Sequence, residues 1–363
     1  MSQKRKPTSF DIAHLAGVSQ STVSRALRGS SRVSKETHRR IQEAVRALNY
    51  KVDKNASNLR TQHTGTLALL FFEDPTADDS NINPFFHSML GSITRACAQH
   101  GYDLLISFQQ LSQNWHAEYE DSKKADGLIL LGYGDYVSYR ARLDQLLALG
   151  THFVRWGAVL PDQPGLSIGC DNYQGGHDLA AHLLAQGRSR IAFIGDASQH
   201  YPEFFERYRG FAAALRAAGL EVDPLLQVDA ITTEASGHQA LETLLKRGVS
   251  FDAVFGASDL IAIGAMRALV EHGYRVPEDV SLAGFDDIPM AANVHPALTT
   301  VAQDTRRAGA LLVENLLKLI RDEPAESLKL PARLVIRRSC GGGSSAQVRP
   351  GGEHQPATID VTG

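Results

Sequence analysis

Cysteine is scarce in this chain of 363 residues. Cys97, Cys170 and Cys340 are the three, widely spaced and never in a Cys-x-x-Cys pair. That spacing excludes a disulfide framework and a zinc ribbon, and predicts reduced, buried thiols. Long apolar runs are missing too. No stretch approaches the roughly 20 residues that span a bilayer, and the basic start Lys4-Arg5-Lys6 is not followed by the apolar segment of a secretory signal. The reading is a cytoplasmic protein without a membrane partner. Familiar catalytic motifs are also absent: no Gly-x-Ser-x-Gly elbow and no phosphate-binding Gly-x-x-x-x-Gly-Lys loop. Gly132-Tyr133-Gly134 lacks the third glycine of a dinucleotide fingerprint. His177 and His182 lie five apart, wrong for a shared metal face on one helix. These absences predict a protein that is no enzyme and takes no cofactor or metal.

What is present is an uneven charge. The net charge is −3, but residues 1–61 hold 13 Lys/Arg against 4 Asp/Glu, leaving 24 against 36 for the rest. A basic head of +9 on an acidic body of −12 points to a polyanion partner for the head alone. With 43% hydrophobic and 21% charged residues the composition is that of a globular protein, long enough for two or three domains.

The head is organised around residues 8–29, TSFDIAHLAGVSQSTVSRALRG. Thr8 and Asp11 have capping-box spacing, Ile12, Ala13 and Ala16 form an apolar face, and Gly17 stops the helix. Ser19 caps a second helix in which Val23 and Leu27 face inward. Gln20, Ser21, Thr22, Ser24, Arg25 and Arg28 stay outward, short polar groups and forked cations that suit base edges and phosphates. The pattern is a helix-turn-helix with a recognition helix shaped for a major groove. A third helix, capped by Ser34, repeats Ile41, Val45 and Leu48 at helical spacing, with His38, Arg39, Arg40 and Arg46 on a solvated or phosphate-facing surface. Residues 55–60, NASNLR, are too short for a stable isolated helix. They are expected to order against a partner, with Asn55 as cap, Arg60 near phosphate and Leu59 as a wedge between base steps.

From Thr66 the texture changes to apolar strands alternating with helices. Strands are expected at 66–72, 103–108, 127–132 and 151–156, then in a second set at 166–170, 190–195, 252–258 and 280–285. Such alternation implies parallel sheets covered on both faces, here two doubly wound lobes. Ligands sit beyond the carboxyl ends of such strands, so the cleft between the lobes is the expected site. The residues there are Phe85, Phe86, Arg155, Trp156, Tyr201, Arg207, Ser258, Asp259 and Asp286. Asp287 is read as a helix cap. The Gly-rich tail 341–363 has no periodicity and is expected to be disordered.

These segments together resemble the LacI/GalR family of bacterial transcription repressors over nearly the whole chain. TSFDIAHLAGVSQSTVSRAL carries the resemblance most specifically. NASNLR, NPFF at 83–86, DN at 171–172, RYRGF at 207–211, SD at 258–259, GFDD at 284–287 and ALTTVAQD at 297–304 follow in family order. The resemblance implies an all-α helix-turn-helix headpiece (1–50), a hinge helix and linker (51–64), and a two-lobed periplasmic-binding-protein-like domain (65–340). Its lobes would be 65–165 plus 295–325, and 166–294 plus 326–340, crossed three times by the chain. It further implies a homodimer on a pseudo-palindromic operator, controlled by a small effector. Gln20, Ser21 and Arg25 would then be specificity residues, Leu59 the minor-groove wedge, and Arg207 and Asp286 the effector contacts. Arg155 and Ser258 depart from the commoner family residues, aspartate and asparagine.

An Arg and an Asp facing each other across a cleft bind vicinal hydroxyls, and Trp156, Phe85 and Phe86 offer flat faces to a sugar. A carbohydrate is therefore the favoured effector. A nucleobase or small acid clamped by Arg155 and Arg207 is the alternative, as is a cytosolic solute-binding protein that ignores DNA.

Overall fold

The computed structural model describes residues 7–27, 30–50, 63–72, 82–109, 114–132 and 134–341. Two compact units divide the chain, Met1–Gly65 and Thr66–Gly363.

Among the described residues the first unit holds three helices, α1 (Ser9–Ala16), α2 (Gln20–Leu27) and α3 (Lys35–Ala47). Asp11 accepts the Thr8 N–H and hydroxyl, both at 2.7 Å, so the expected capping box forms. Gly17 ends α1 in the left-handed region at φ 62°. Ser19 Oγ accepts the Thr22 N–H at 3.2 Å, and Ser34 Oγ accepts that of Thr37 at the same distance. Ile12, Ala13, Ala16, Val23, Ala26, Ile41 and Ala44 make the core. Ile12, Val23 and Ile41 are its fully buried large side chains among the described residues, each worth about 1.5–3 kcal/mol of burial, with Val18, Leu27, Val33, Val45, Leu48 and Tyr50 half-buried against them, so the unit is small and its margin modest. The residues expected to form the hinge helix, Asn55, Leu59 and Arg60 among them, lie outside the described residues. So do Arg28 and 342–363 of the expected tail.

The second unit contains a six-stranded parallel sheet. It is built from β1 (Thr66–Phe71), β2 (Asp103–Phe108), β3 (Leu128–Leu131), β4 (Phe153–Trp156), β5 (Leu166–Cys170) and β11 (Leu328–Leu330), in the order β11-β5-β4-β3-β1-β2. Helices α4 (Pro84–Gln99), α5 (Tyr136–Ala148) and α10 (Thr305–Ile320) belong to this lobe, with a single π-helical turn at His116–Asp121 between β2 and β3. The second lobe is a four-stranded parallel sheet, β7-β6-β8-β9, from β6 (Ile191–Ile194), β7 (Gln227–Val228), β8 (Ala253–Gly256) and β9 (Ser281–Ala283). It carries α6 (Asn172–Ala185), α7 (Pro202–Ala217), α8 (Glu234–Lys246) and α9 (Asp259–Glu271). Between the lobes run β10 (Thr300–Gln303) and β12 (Ala332–Val335), paired antiparallel.

One expectation about this layout is corrected. The strand at 166–170 opens no second lobe. It pairs with β4 and β11 in the first sheet, and 328–330 joins the same sheet. A short strand buried on both faces carries no mark of its neighbours, so its sheet is set by where the chain turns. It turns at Asp171, whose Oδ1 caps α6 by accepting the Gln174 N–H at 3.1 Å while its N–H reaches Leu330 O at 2.8 Å. Asp304 caps α10 in the same way at another crossing.

Candidate functional site

The lobes meet around the carboxyl ends of their strands, and α6 and α7 set the geometry there. They cross backbone against backbone. A Cβ on Gly176 would lie 2.2 Å from Arg207 O, and one on Gly210 would lie 2.0 Å from Tyr173 O. The close crossing brings Arg207, on α7, to Asn172, the first residue of α6.

Arg207 is wholly buried and fully engaged. Its Nε donates to Asn172 Oδ1 at 2.9 Å and its Nη1 to Ala257 O at 2.5 Å. Nη2 lies 3.3 Å from Asp286 Oδ1. The guanidinium sits 3.8 Å from the Phe285 ring centroid and 5.2 Å from that of Phe204. Tyr201 stacks on Phe204 at 6.0 Å, extending the column outward. Asp286 follows β9 with φ 116°, held there by its N–H on Val301 O and by Gln303 Nε2 donating to Oδ1 at 2.6 Å. Burial raises its carboxyl, and the Arg207 guanidinium and the Gln303 amide pull it back. The pair therefore differs from the expected arrangement. Arg207 and Asp286 both belong to the second lobe and bond to each other, instead of facing each other across the cleft.

Ser258 and Asp259 are also buried. Ser258 caps α9 and accepts from Thr232 Oγ1 at 2.9 Å, and Thr232 in turn lies 3.4 Å from Asn83 Nδ2 of the first lobe. Asp259 is corrected from effector contact to scaffold. Its oxygens accept Thr300 Oγ1 at 2.5 Å and Ile288 N at 2.8 Å, so it pins the Asp286 loop to α9. Burial, chiefly, pushes its carboxyl well up. Asp287 is no helix cap; it pairs with Arg337 at 2.6 Å.

Across the cleft, Phe85, Phe86 and Trp156 are core. Phe85 is 5.1 Å from Phe86 and 5.9 Å from Trp156, and all three are under 5% exposed, which corrects the expectation of flat faces open to a sugar. Arg155 is buried as well, with Nη2 donating to Ala158 O and Gln163 Oε1 and its guanidinium 5.3 Å from the Tyr136 ring. Arg155 Nε, Tyr136 Oη and Gln109 Oε1 are buried without hydrogen-bond partners. Such atoms cost about 1–3 kcal/mol each, which marks this flank as a place where a polar ligand has something to satisfy. Nearby the lobes are latched. His200 Nδ1 lies 2.7 Å from Asp135 Oδ1, the Tyr136 N–H reaches His200 O at 2.8 Å, and the Ala158 N–H reaches Glu203 Oε1 at 2.7 Å. Asn172 falls in the DN motif at 171–172, just past a strand, whereas Glu203, Thr232 and Gln303 were not singled out as site residues by the sequence reading. Their one signal was position, at or just past a strand or helix end.

In the first unit, Ser19, Ser21 and Arg25 are exposed, and Thr8, Gln20, Thr22 and Ser24 are half-buried. Gln20 Nε2 donates to Ser9 Oγ at 3.2 Å, tying α2 to α1. The basic surface expected on α3 is largely structural. Arg39 bridges Glu36 at 2.6 Å and Glu43 at 2.8 Å, Arg40 reaches the Ala16 carbonyl, and His38 bonds Ala26 O at 2.9 Å. What remains outward on α2 is short polar side chains and one forked cation.

Comparison with known proteins follows the same division. Residues 10–53 match the model of the bacterial regulatory proteins of the lacI family, and 180–340 match a periplasmic-binding-protein-like domain. The transcriptional regulator CelR of Thermobifida fusca is 32% identical, over 93% of this chain and all of its own. The ribose operon repressor of Escherichia coli K12 is 29% identical over 91% of this chain and 98% of its own. Among solved structures, a CelR–cellobiose complex matches with TM-score 0.67 at 31% identity, over 92% of this chain and 99% of that one. A lac repressor dimer bound to operator and an anti-inducer matches with TM-score 0.78 at 25% identity, over 93% and 99%. These relatives are transcriptional regulators. No helix among the described residues is long and apolar enough to cross a membrane. With a capped helix-turn-helix at one end, two parallel-sheet lobes at the other and relatives of this kind along its whole length, the chain belongs to the lacI family of bacterial regulatory proteins and is a DNA-binding transcriptional regulator.

Proposed function

We propose that this regulator is a cytoplasmic, non-enzymatic repressor, working as a homodimer whose operator affinity is set by a sugar held between the lobes. The headpiece at 1–50 reads the operator through Gln20, Ser21 and Arg25. Thr8, Ser19, Thr22, Ser24 and Arg28 bind phosphate or border the groove. The segment 51–64, with Asn55, Leu59 and Arg60, acts as the hinge that orders on DNA. Arg207, Asp286, Ser258, Arg155 and Tyr201 take the effector's hydroxyls and ring, with Tyr136 and Gln109 added to that set.

The observation that carries the sugar reading is the pair of buried, unsatisfied groups Arg155 Nε and Tyr136 Oη, in the first lobe by the Ala158–Glu203 contact with α7, the helix that also holds the buried Arg207. Neutral hydroxyls both donate and accept, so a polyol can satisfy Arg155 Nε and Tyr136 Oη without adding buried charge. The cellobiose complex of CelR and the name of the ribose operon repressor support the same ligand class. An effector acts only through a difference in its affinity for the two states of the lobes.

Thermal unfolding with cellobiose, ribose, other sugars, nucleobases and small acids tests the reading, followed by operator gel shifts with any ligand that binds. A sugar should raise Tm by mass action and change operator affinity. A response to nucleobases or acids alone would overturn the sugar, and indifference to DNA sequence would overturn the repressor.

A further inference from the structure

Outside that site, the second lobe carries a cluster of imidazoles and carboxylates between α8 and α9. The two helices touch at glycines. A Cβ on Gly264 would fall 1.9 Å from Glu234 O, and one on Gly237 would fall 2.1 Å from Ile261 O. Bare backbones at that distance bring the side chains beyond them together. His238 and Glu242 stand one turn apart on α8, Glu271 ends α9, and His272 is its C-cap. His238 Nε2 lies 2.6 Å from Glu271 Oε2, and His272 Nε2 lies 2.6 Å from Glu242 Oε1. One donor atom from each of His238, Glu242 and Glu271 lies within 4.8 Å of the other two.

Two exposed His–Glu hydrogen bonds would by themselves add little stability. Their arrangement says more. Each imidazole reaches a carboxylate on the other helix, so donors converge from two packed, rigid elements. Its two carboxylates give the cluster a negative charge that a cation reduces. Arg267, 3.7 Å from Glu271 Oε1, is the one cation paired to the cluster among the described residues, and it is well exposed.

We infer that His238, Glu242 and Glu271 bind one divalent transition metal ion of the zinc, nickel or cobalt class, with His272 orienting Glu242. Mixed imidazole and carboxylate donors suit these ions. Metal–ligand bonds of about 2.0–2.2 Å hold donors roughly 3–3.5 Å apart, and the three donors here lie within 4.8 Å of one another, so small side-chain shifts bring them to that spacing. The ion takes the His238 Nε2 lone pair, and a proton held there goes to solvent. Bound, it staples α8 to α9.

The test is equilibrium dialysis of the full chain, freed of metal by EDTA, against zinc chloride, with Tm and the visible spectrum of the cobalt form as further readouts. One ion per chain, a raised Tm and cobalt bands typical of nitrogen–oxygen ligation are expected. Glu271→Gln and His238→Gln should each weaken binding by at least ~10-fold, and His272→Ala should do so by about 10–100-fold, the usual effect of losing an outer-layer partner. Glu271 is half exposed, so that variant folds. His177→Gln, outside the cluster, should bind as the parent does. Absence of stoichiometric binding, or parental affinity in both Glu271→Gln and His238→Gln, overturns the site.

Discussion

Arg25 and Arg207 are the same residue put to opposite uses. Arg25 stands in solvent on a two-turn helix, its guanidinium presented outward by a core of seven small or medium apolar side chains. Arg207 is sealed in the second unit, with Asn172, Ala257, Asp286 and two aromatic rings around it. The contrast separates two ways of holding a functional charge. An exposed cation costs little to keep and is free to meet a polyanion. A buried one must be neutralised and hydrogen-bonded before any ligand arrives, so its partners are as much part of the site as it is.

The largest test of that contrast is Asp286→Ala. It leaves the Arg207 guanidinium buried and unpaired and should cost about 3–5 kcal/mol, read by urea unfolding of the body. Arg207→Met combined with Asp286→Leu should recover most of the loss; if the double variant is as unstable as the single, the pair was not the cause. The effector response should vanish in both.

Next is Ile12→Ala, at the centre of the small headpiece core. A loss of about 2–4 kcal/mol is enough to unfold so small a unit. Operator binding should disappear while the melting of the body, and its rise with effector, stay as they were. A matching drop in the body's Tm would mean the two units do not fold separately.

Arg25→Ala should leave unfolding unchanged and weaken specific operator binding by about 1–3 kcal/mol, with relaxed preference at one base position. Unchanged discrimination in a gel-shift titration would remove Arg25 from base reading.

The smallest effect concerns the cross-lobe pair of Asp135 and His200. Burial tends to raise the Asp135 carboxyl, but the Ser138 hydroxyl and amide, and His200, hold it below the ordinary carboxylate value. A lowered folded pKa means stability present above about pH 4 and lost as pH falls through the folded value. Asp135→Asn should therefore flatten the acid side of the stability profile, by under about 1 kcal/mol for so exposed a pair. An unchanged acid limb would show that the latch adds nothing.

Much of the fold was legible because its determinants are local. Thr8, Ser19 and Ser34 cap helices from adjacent residues, and Gly17 stops one. The apolar strands from Thr66 onward announce themselves by composition. Legibility failed where partners are distant in sequence. LSIGC reads as a strand but not as a strand of the first sheet, because both its faces are buried and its neighbours are not written into it. Phe85, Phe86 and Trp156 look alike whether they line a cleft or fill a core. Asp259 looks like a ligand contact until Thr300 and Ile288 claim its oxygens. The His238–Glu271 cluster escaped a search of single helices, since its donors come from two.

Pattern alone settled that a basic helix-turn-helix precedes two lobes of alternating strand and helix, for those signals are written in spacings of a few residues. Folding in three dimensions decided which buried charges meet. Arg207 reaches Asn172 because α6 and α7 lie glycine to backbone, and it meets Asp286 beyond β9 through the fold alone, since no periodicity in the chain encodes so distant a contact.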